Sequence, residues 1–308
     1  DASLVYNYMK RIYLGVNAAL GRRGIRMKLF PENPTLVYRP FKLNERNYIY
    51  LADRGRIYGD VRLYDEQGTG IHFYTNREDT IADQEMTVEL SRIGLQQFKR
   101  VIPYMPDMDG WLGGSLHYVD SEGQMMLSAD VNVDDFEYEE SSLGNWAMSG
   151  VYLPGDSSRH HVDGYIQHND KEIIYLNGVY QADELGNENI TGDLELHHFP
   201  LTVINPFIPD KIVRFRGDID GTLSMTGNPM KPVLNGGLKL DSVLMVMPDM
   251  SVGFRFDDKQ VRMENSRMIF DKFNIYTRGE TPFVVNGSVD FSDMEKMMVD
   301  LRMKTNDY

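Results

Sequence analysis

GDIDGTLSM, residues 217–225, places Ile219, Leu223 and Met225 on one parity and Asp218, Asp220, Thr222 and Ser224 on the other. Successive side chains of a β-strand point to opposite faces, so this alternation predicts a strand with one buried side. Working outward, LSADVNV (127–133) sets Leu127, Val131 and Val133 against Ser128, Asp130 and Asn132. VDLRMK (299–304) sets Val299, Leu301 and Met303 against Asp300, Arg302 and Lys304, and VGFRF (252–256) and IYGDVRL (57–63) alternate in the same way.

The same nonapeptide belongs to a repeat. TVELSRIGLQQFKRVIP (87–103) aligns with DLELHHFPLTVINPFIP (193–209) at an offset of 106 residues. One inserted residue later the offset becomes 107: Gly110, Gly114 and Leu116 meet Gly217, Gly221 and Leu223, and Leu127, Val131 and Val133 meet Leu234, Leu238 and Leu240. Val88-Glu89-Leu90 returns as Leu194-Glu195-Leu196 and again as Val299-Asp300-Leu301. A smaller echo, Leu176-Asn177-Gly178, recurs at Leu234-Asn235-Gly236 and Val285-Asn286-Gly287. Self-similarity at a fixed period predicts stacked units that contact their neighbours. The resulting division is a helix-like segment over 1–30, a partial β repeat over 31–86, β repeats over 87–192 and 193–298, and the start of a further unit over 299–308. The chain is expected to be a cut from a longer repeat protein.

Parity breaks at equivalent places. After Val133 and Asp134-Asp135 the apolar positions become Phe136 and Tyr138; after Leu240 and Asp241-Ser242 they become Val243 and Met245. A one-residue slip inverts the faces of a strand unless a bulge restores them, so the sheet is expected to bend at Asp134 and Asp241. Helix signals are few. Val5, Tyr8, Ile12, Val16 and Ala19 lie at helical spacing before Gly21, and residues 93–102 and 201–208 are expected to form short helices before Pro103 and Pro209.

The chain is 42% apolar and 11% aromatic, enough for a substantial core, and its 19 Met supply adaptable apolar filler. A formal net charge of −14 argues against nucleic acid as a partner, since phosphate binding needs a basic footprint. Without Cys there is no disulfide or thiolate chemistry. No apolar run is long enough for a membrane helix. Any targeting or anchoring segment is therefore expected outside these residues.

Chemical motifs are sparse. The pairs His160-His161 and His197-His198 would send neighbouring rings to opposite faces of a regular strand, so neither is expected to clamp a metal. Asp107-Met-Asp109-Gly110 and Asp218-Ile-Asp220-Gly221 open like calcium loops but lack the closing Glu at the twelfth position. No nucleophile elbow, P-loop or dinucleotide fingerprint occurs. The chain is expected to be no enzyme and to carry no cofactor or metal.

Residues 193–291 carry a resemblance. LELHHFPLTVINPFIP, then GDIDGTLSMTGNPMKPVLNGGLKLDSVLMVMPDMSVGF, then TPFVVNGSVDFS are similar to the C-terminal region of the TamB family within the AsmA-like group. Gly221, Leu223, Gly227, Pro232, Leu234, Leu238 and Leu240 carry its most specific string, and residues 87–180 follow it more loosely, with Met125 where Pro232 would fall. RPFKLNERNYIYLADRGRIYGDVRL, within residues 31–86, fits Bacteroidetes-type members. The resemblance implies an inner-membrane-anchored periplasmic protein whose folded-over, taco-like sheet has an apolar interior. It further implies phospholipid transport toward the outer membrane and work with an Omp85-type barrel partner.

Together these readings predict an all-β, elongated, curved repeat sheet with an apolar concave face and few short helices. The expected lipid-groove lining is Leu116, Leu127, Val131, Val133 and Phe136 in the first copy. In the second it is Ile219, Leu223, Met225, Leu234, Leu238, Leu240, Val243 and Met245. The alternatives are a docking module that captures outer-membrane proteins by strand augmentation, or a structural spacer.

Overall fold

A computed structural model of the chain describes residues 2–6, 9–36, 39–75, 83–100, 102, 104–155, 159–183, 185–209, 212–277, 279, 281–293 and 296–305. The fold is all-β and antiparallel, in two compact units, Asp1–Pro154 and Gly155–Tyr308. The division falls inside the first sequence copy, 87–192, and not at its end. Among the described residues no helix is long and apolar enough to cross a membrane.

The first unit contains β1 (Ala2–Tyr6), β2 (Met9–Gly21), β3 (Gly24–Leu36), β4 (Arg39–Pro40), β5 (Lys42–Leu43) and β6 (Tyr48–Ala52). It continues with β7 (Ile57–Tyr64), β8 (Gly70–Tyr74), β9 (Gln84–Gly94), β10 (Met108–Ser121), β11 (Gln124–Tyr138) and β12 (Ser141–Pro154). From β6 to β12 each strand pairs with the next. Tight hairpins drive this meander. Glu122-Gly123 and Glu139-Glu140 both place two successive residues at positive φ, the turn whose twist matches antiparallel strands.

The helix expected within residues 1–30 is absent: β1, β2 and β3 occupy the described part of that segment, with Tyr8 outside the described residues. Val16, Ala18 and Leu20 face Leu29, Met27 and Ile25 across the β2–β3 hairpin, which satisfies the backbone through a partner strand. Gly15 lies under the Phe30 ring, where any side chain would collide. Helical spacing of five residues is a local signal, and pairing with a distant strand overrides it.

The second unit contains β13 (Arg159–His168), β14 (Lys171–Ala182), β15 (Glu188–Pro200), β16 (Arg214–Gly227) and β17 (Val233–Met247). β18 (Val252–Phe256), β19 (Gln260–Glu264), β20 (Arg267–Tyr276), β21 (Phe283–Asp290) and β22 (Met298–Lys304) follow. β13 to β17 form a meander. β17 then serves two partners: residues 244–247 pair with β18 and residues 236–239 with β19. β20 in turn pairs with β18, β19 and β21. The segments expected as helices before Pro103 and Pro209 are 3₁₀ turns, Leu95–Arg100 and Leu201–Phe207.

The parity breaks are β-bulges. Asp135 and Ser242 have φ of 52° each, one residue after Asp134 and Asp241, and the pairing registers shift around them. Gly110 and Gly217 lie opposite at positive φ, where a side chain would strike the carbonyls of residues 134–135 and 241–242. A second line of bulges sits at Arg92 and His198, φ 46° and 47°, and another at Lys272, φ 48°.

A neighbouring side chain satisfies several of these displaced amides. Asp135 N–H donates to Asn145 Oδ1, His198 N–H to Asp220 Oδ1 and Lys272 N–H to Asn286 Oδ1, at 2.9, 2.8 and 2.9 Å. Gly113 stands where Asp220 does in the second copy, and there the Arg92 guanidinium covers the Trp111 ring instead. Asn286→Ala is expected to destabilise the second unit by about 1 kcal/mol, the usual net worth of one hydrogen bond. The reading is a lowered urea midpoint with an unchanged slope.

Candidate functional site

Residues directly opposite on paired strands share a face, so the registers define the apolar side of each unit. In the first unit one row runs Leu63, Ile71, Leu90, Gly114, Val131 and Met148 across β7 to β12. The next runs Val61, Phe73, Val88, Leu116, Ala129 and Gly150. This face is open. Leu116 and Met148 are 43% and 48% exposed, and Leu127, Val131, Val133 and Phe136 are half-buried. Between β7 and β12 the only buried large apolar side chain among the described residues is Leu143.

The equivalent row of the second unit is longer: Leu176, Leu194, Leu223, Gly236, Met263, Met268, Val289 and Val299, on β14 to β17 and β19 to β22. Much of it is sealed. Leu223, Leu238 and Met263 form one buried cluster, with Leu194, Leu196, Ile219 and Leu234 packed on it. Leu201, Leu240, Val243, Val261, Phe273 and Val285 form a second. Leu223, Leu238, Leu240 and Val243, expected as groove lining, are therefore core residues, and Met225 is buried as well. Ile219 and Leu234 are half-buried members of the same packing. The cover comes from other elements: the 3₁₀ turn lays Leu201 against Leu240 and Val243, and β19 and β20 bring Val261, Met263 and Phe273 onto the same side.

Beyond this core the apolar side opens into a groove of about 500 Å³. Met245 and Met247 from β17, Phe254 and Phe256 from β18, and Phe270 and Ile275 from β20 line one part. Phe283, Val285 and Val289 from β21 and Leu301 and Met303 from β22 complete it. Val285 is buried at 1% exposure, whereas Met303, at 64%, stands at the open margin. Of the expected lining only Met245 lies here. The alternation of Val252, Phe254 and Phe256 and of Val299, Leu301 and Met303 marked these residues as facing one side. Their convergence depends on β17 pairing with both β18 and β19, which no local pattern encodes.

The opposite face is polar and tied across strands. His72 lies 3.2 Å from Asp60 and 3.5 Å from Glu89, and His197 lies 3.1 Å from both Glu172 and Glu195. His198 meets Asp220 at 3.0 Å. The bulge at His198 corrects one expectation. His197 and His198 both join carboxylates of the polar face and line one cavity with His168 and Glu172, instead of pointing apart. Nevertheless, no group of three or more His, Asp or Glu suited to a metal occurs among the described residues. Exposed pairs of this kind contribute little individually, under about 1 kcal/mol.

Nearby, hydrogen bonds from the Tyr175 hydroxyl, at 2.6 Å, and the Asn177 amide, at 3.0 Å, hold the Asp163 carboxyl below its ordinary pKa. A carboxylate lowered on folding stabilises the fold above its unfolded pKa, and that contribution fades as pH falls through the folded value. Tyr175→Phe is expected to move the Asp163 pKa up, toward the usual carboxylate value. Carbon-detected NMR titration of that carboxyl reads the shift.

No family model matches the chain, and neither does any curated protein or any solved structure.

Proposed function

We propose that this chain is a lipid-handling segment that receives acyl chains of phospholipid, or of another apolar lipid, on its apolar side and shields them from water. The observation that carries the reading is the groove bounded by Met245, Phe254, Phe283 and Met303. Its volume of about 500 Å³ falls in the usual range of small-ligand sites, about 300–1,000 Å³. Three methionines and four phenylalanines in its lining suit chains of varied length and unsaturation, because thioethers adapt their shape. Each buried methylene contributes about 0.8 kcal/mol. About ten would contribute roughly 8 kcal/mol before the costs of association. The open apolar face of the first unit supports the same reading, since large exposed apolar patches mark interaction surfaces.

From the sequence resemblance we propose a periplasmic setting, in an inner-membrane-anchored protein that passes phospholipid toward the outer membrane beside an Omp85-type barrel. Native mass spectrometry of the purified chain tests the lipid step. Co-purified phospholipid, or stoichiometric uptake of a phospholipid from detergent, is the expected result. A chain that stays lipid-free under both conditions contradicts it.

A further inference from the structure

The last strand, β22, holds in a third copy the place that β9 and β15 hold in the first two, as Val88-Glu89-Leu90, Leu194-Glu195-Leu196 and Val299-Asp300-Leu301 align. β9 is paired on both sides, with β8 and β10, and so is β15, with β14 and β16. The only pairing of β22 among the described residues is with β21.

The strand filling the outer side of β9 and β15 is of one kind. β10 carries Gly110, Gly114 and Leu116, and β16 carries Gly217, Gly221 and Leu223, the same Gly-x-x-x-Gly-x-Leu spacing. It docks in the same register both times. Val88 lies opposite Leu116 and Leu90 opposite Gly114; Leu194 lies opposite Leu223 and Leu196 opposite Gly221. With that partner present, Val88, Leu90, Leu194 and Leu196 are all half-buried. At the third position Val299 and Met303 are 65% and 64% exposed and Leu301 37%. Protein edges ordinarily avoid a run of exposed apolar side chains beside free backbone donors and acceptors.

We infer that the outer edge of β22 is an acceptor for one antiparallel strand bearing the Gly-x-x-x-Gly-x-Leu signature, seated with its Leu opposite Val299 and its second Gly opposite Leu301. Main-chain hydrogen bonds supply the affinity, and the glycine and leucine positions set the register. Charged Asp300, Arg302 and Lys304 lie on the other face of β22, clear of the apolar contact. The incoming strand also extends the groove wall past Leu301 and Met303. The inference stands apart from the lipid reading, because it rests on the repeat and its register alone.

The chain has no Cys, so engineered disulfides report the register without background. Val299→Cys and Leu301→Cys chains are each mixed with synthetic peptides of residues 214–227 carrying Cys in place of Leu223 or Gly221. Every residue of β22 is exposed, which leaves the packed core untouched by these changes. Oxidation is expected to favour the matched pairs, 299 with 223 and 301 with 221, at least fivefold over the crossed pairs. Unmodified peptide is expected to compete, and a scrambled peptide is not. Equal yields in all pairings, or yields no greater than with the scrambled peptide, overturn the inference.

Discussion

Leu223→Ala is expected to cost the second unit about 2–5 kcal/mol, while Leu116→Ala, at the same repeat position of the other copy, costs about 1 kcal/mol or less. The two leucines lie 107 residues apart on equivalent strands, and each faces a strand of the same class. They differ in what covers them. Leu223 is 5% exposed, packed with Leu238 and Met263, so truncation leaves a cavity that the surrounding side chains fill only in part. Leu116 is 43% exposed, and solvent occupies the space its side chain leaves. Urea denaturation followed by hydrogen exchange assigns each loss to its unit. Equal costs at the two positions would contradict the division into a sealed and an open apolar face.

Met303→Glu is expected to weaken acyl-chain binding at least tenfold, equivalent to about 1.4 kcal/mol, with little change in stability. Met303 borders the groove and is 64% exposed, so the folded state loses little when it changes. A bound acyl chain would instead lie against a carboxylate that must give up hydration. Lys304→Gln, on the other face of β22, is the control and is expected to leave binding within twofold. Displacement of a fluorescent fatty acid measures both. Undiminished binding by the Met303 variant would remove the groove as the lipid site.

Much of the architecture is legible before any coordinates. The alternation in 217–225 and 127–133 defines β16 and β11, and the parity slips lie next to the bulges at Asp135 and Ser242. The change of offset from 106 to 107 is visible in the backbone too, because the bulges at Arg92 and His198 keep the first spacing and those at Asp135 and Ser242 the second. The fate of the apolar face is another matter. Leu116 and Leu223 read identically, yet one is open and the other sealed. Strands distant in sequence decide this: β19 brings Met263, and β20 brings Met268, against Leu223. For the same reason no local pattern encodes the groove lining, since Phe254, Phe283 and Met303 come together only through the pairing of β17 with β18 and β19 and of β20 with β21 and β21 with β22. The N-terminal segment behaves alike at short range, because Val16 and Ala18 acquire their face from Leu29 and Met27 across a hairpin.

The open apolar face of the first unit bears on how that unit responds to temperature. Unfolding raises heat capacity in proportion to the apolar surface it newly hydrates. The side chains of Leu116, Met148 and Ile71 are already partly hydrated in the folded state. The face of β7 to β12 is therefore expected to contribute less to the heat-capacity increment of unfolding than the sealed face of the second unit. Its stability is expected to change less on cooling, which scanning calorimetry reads.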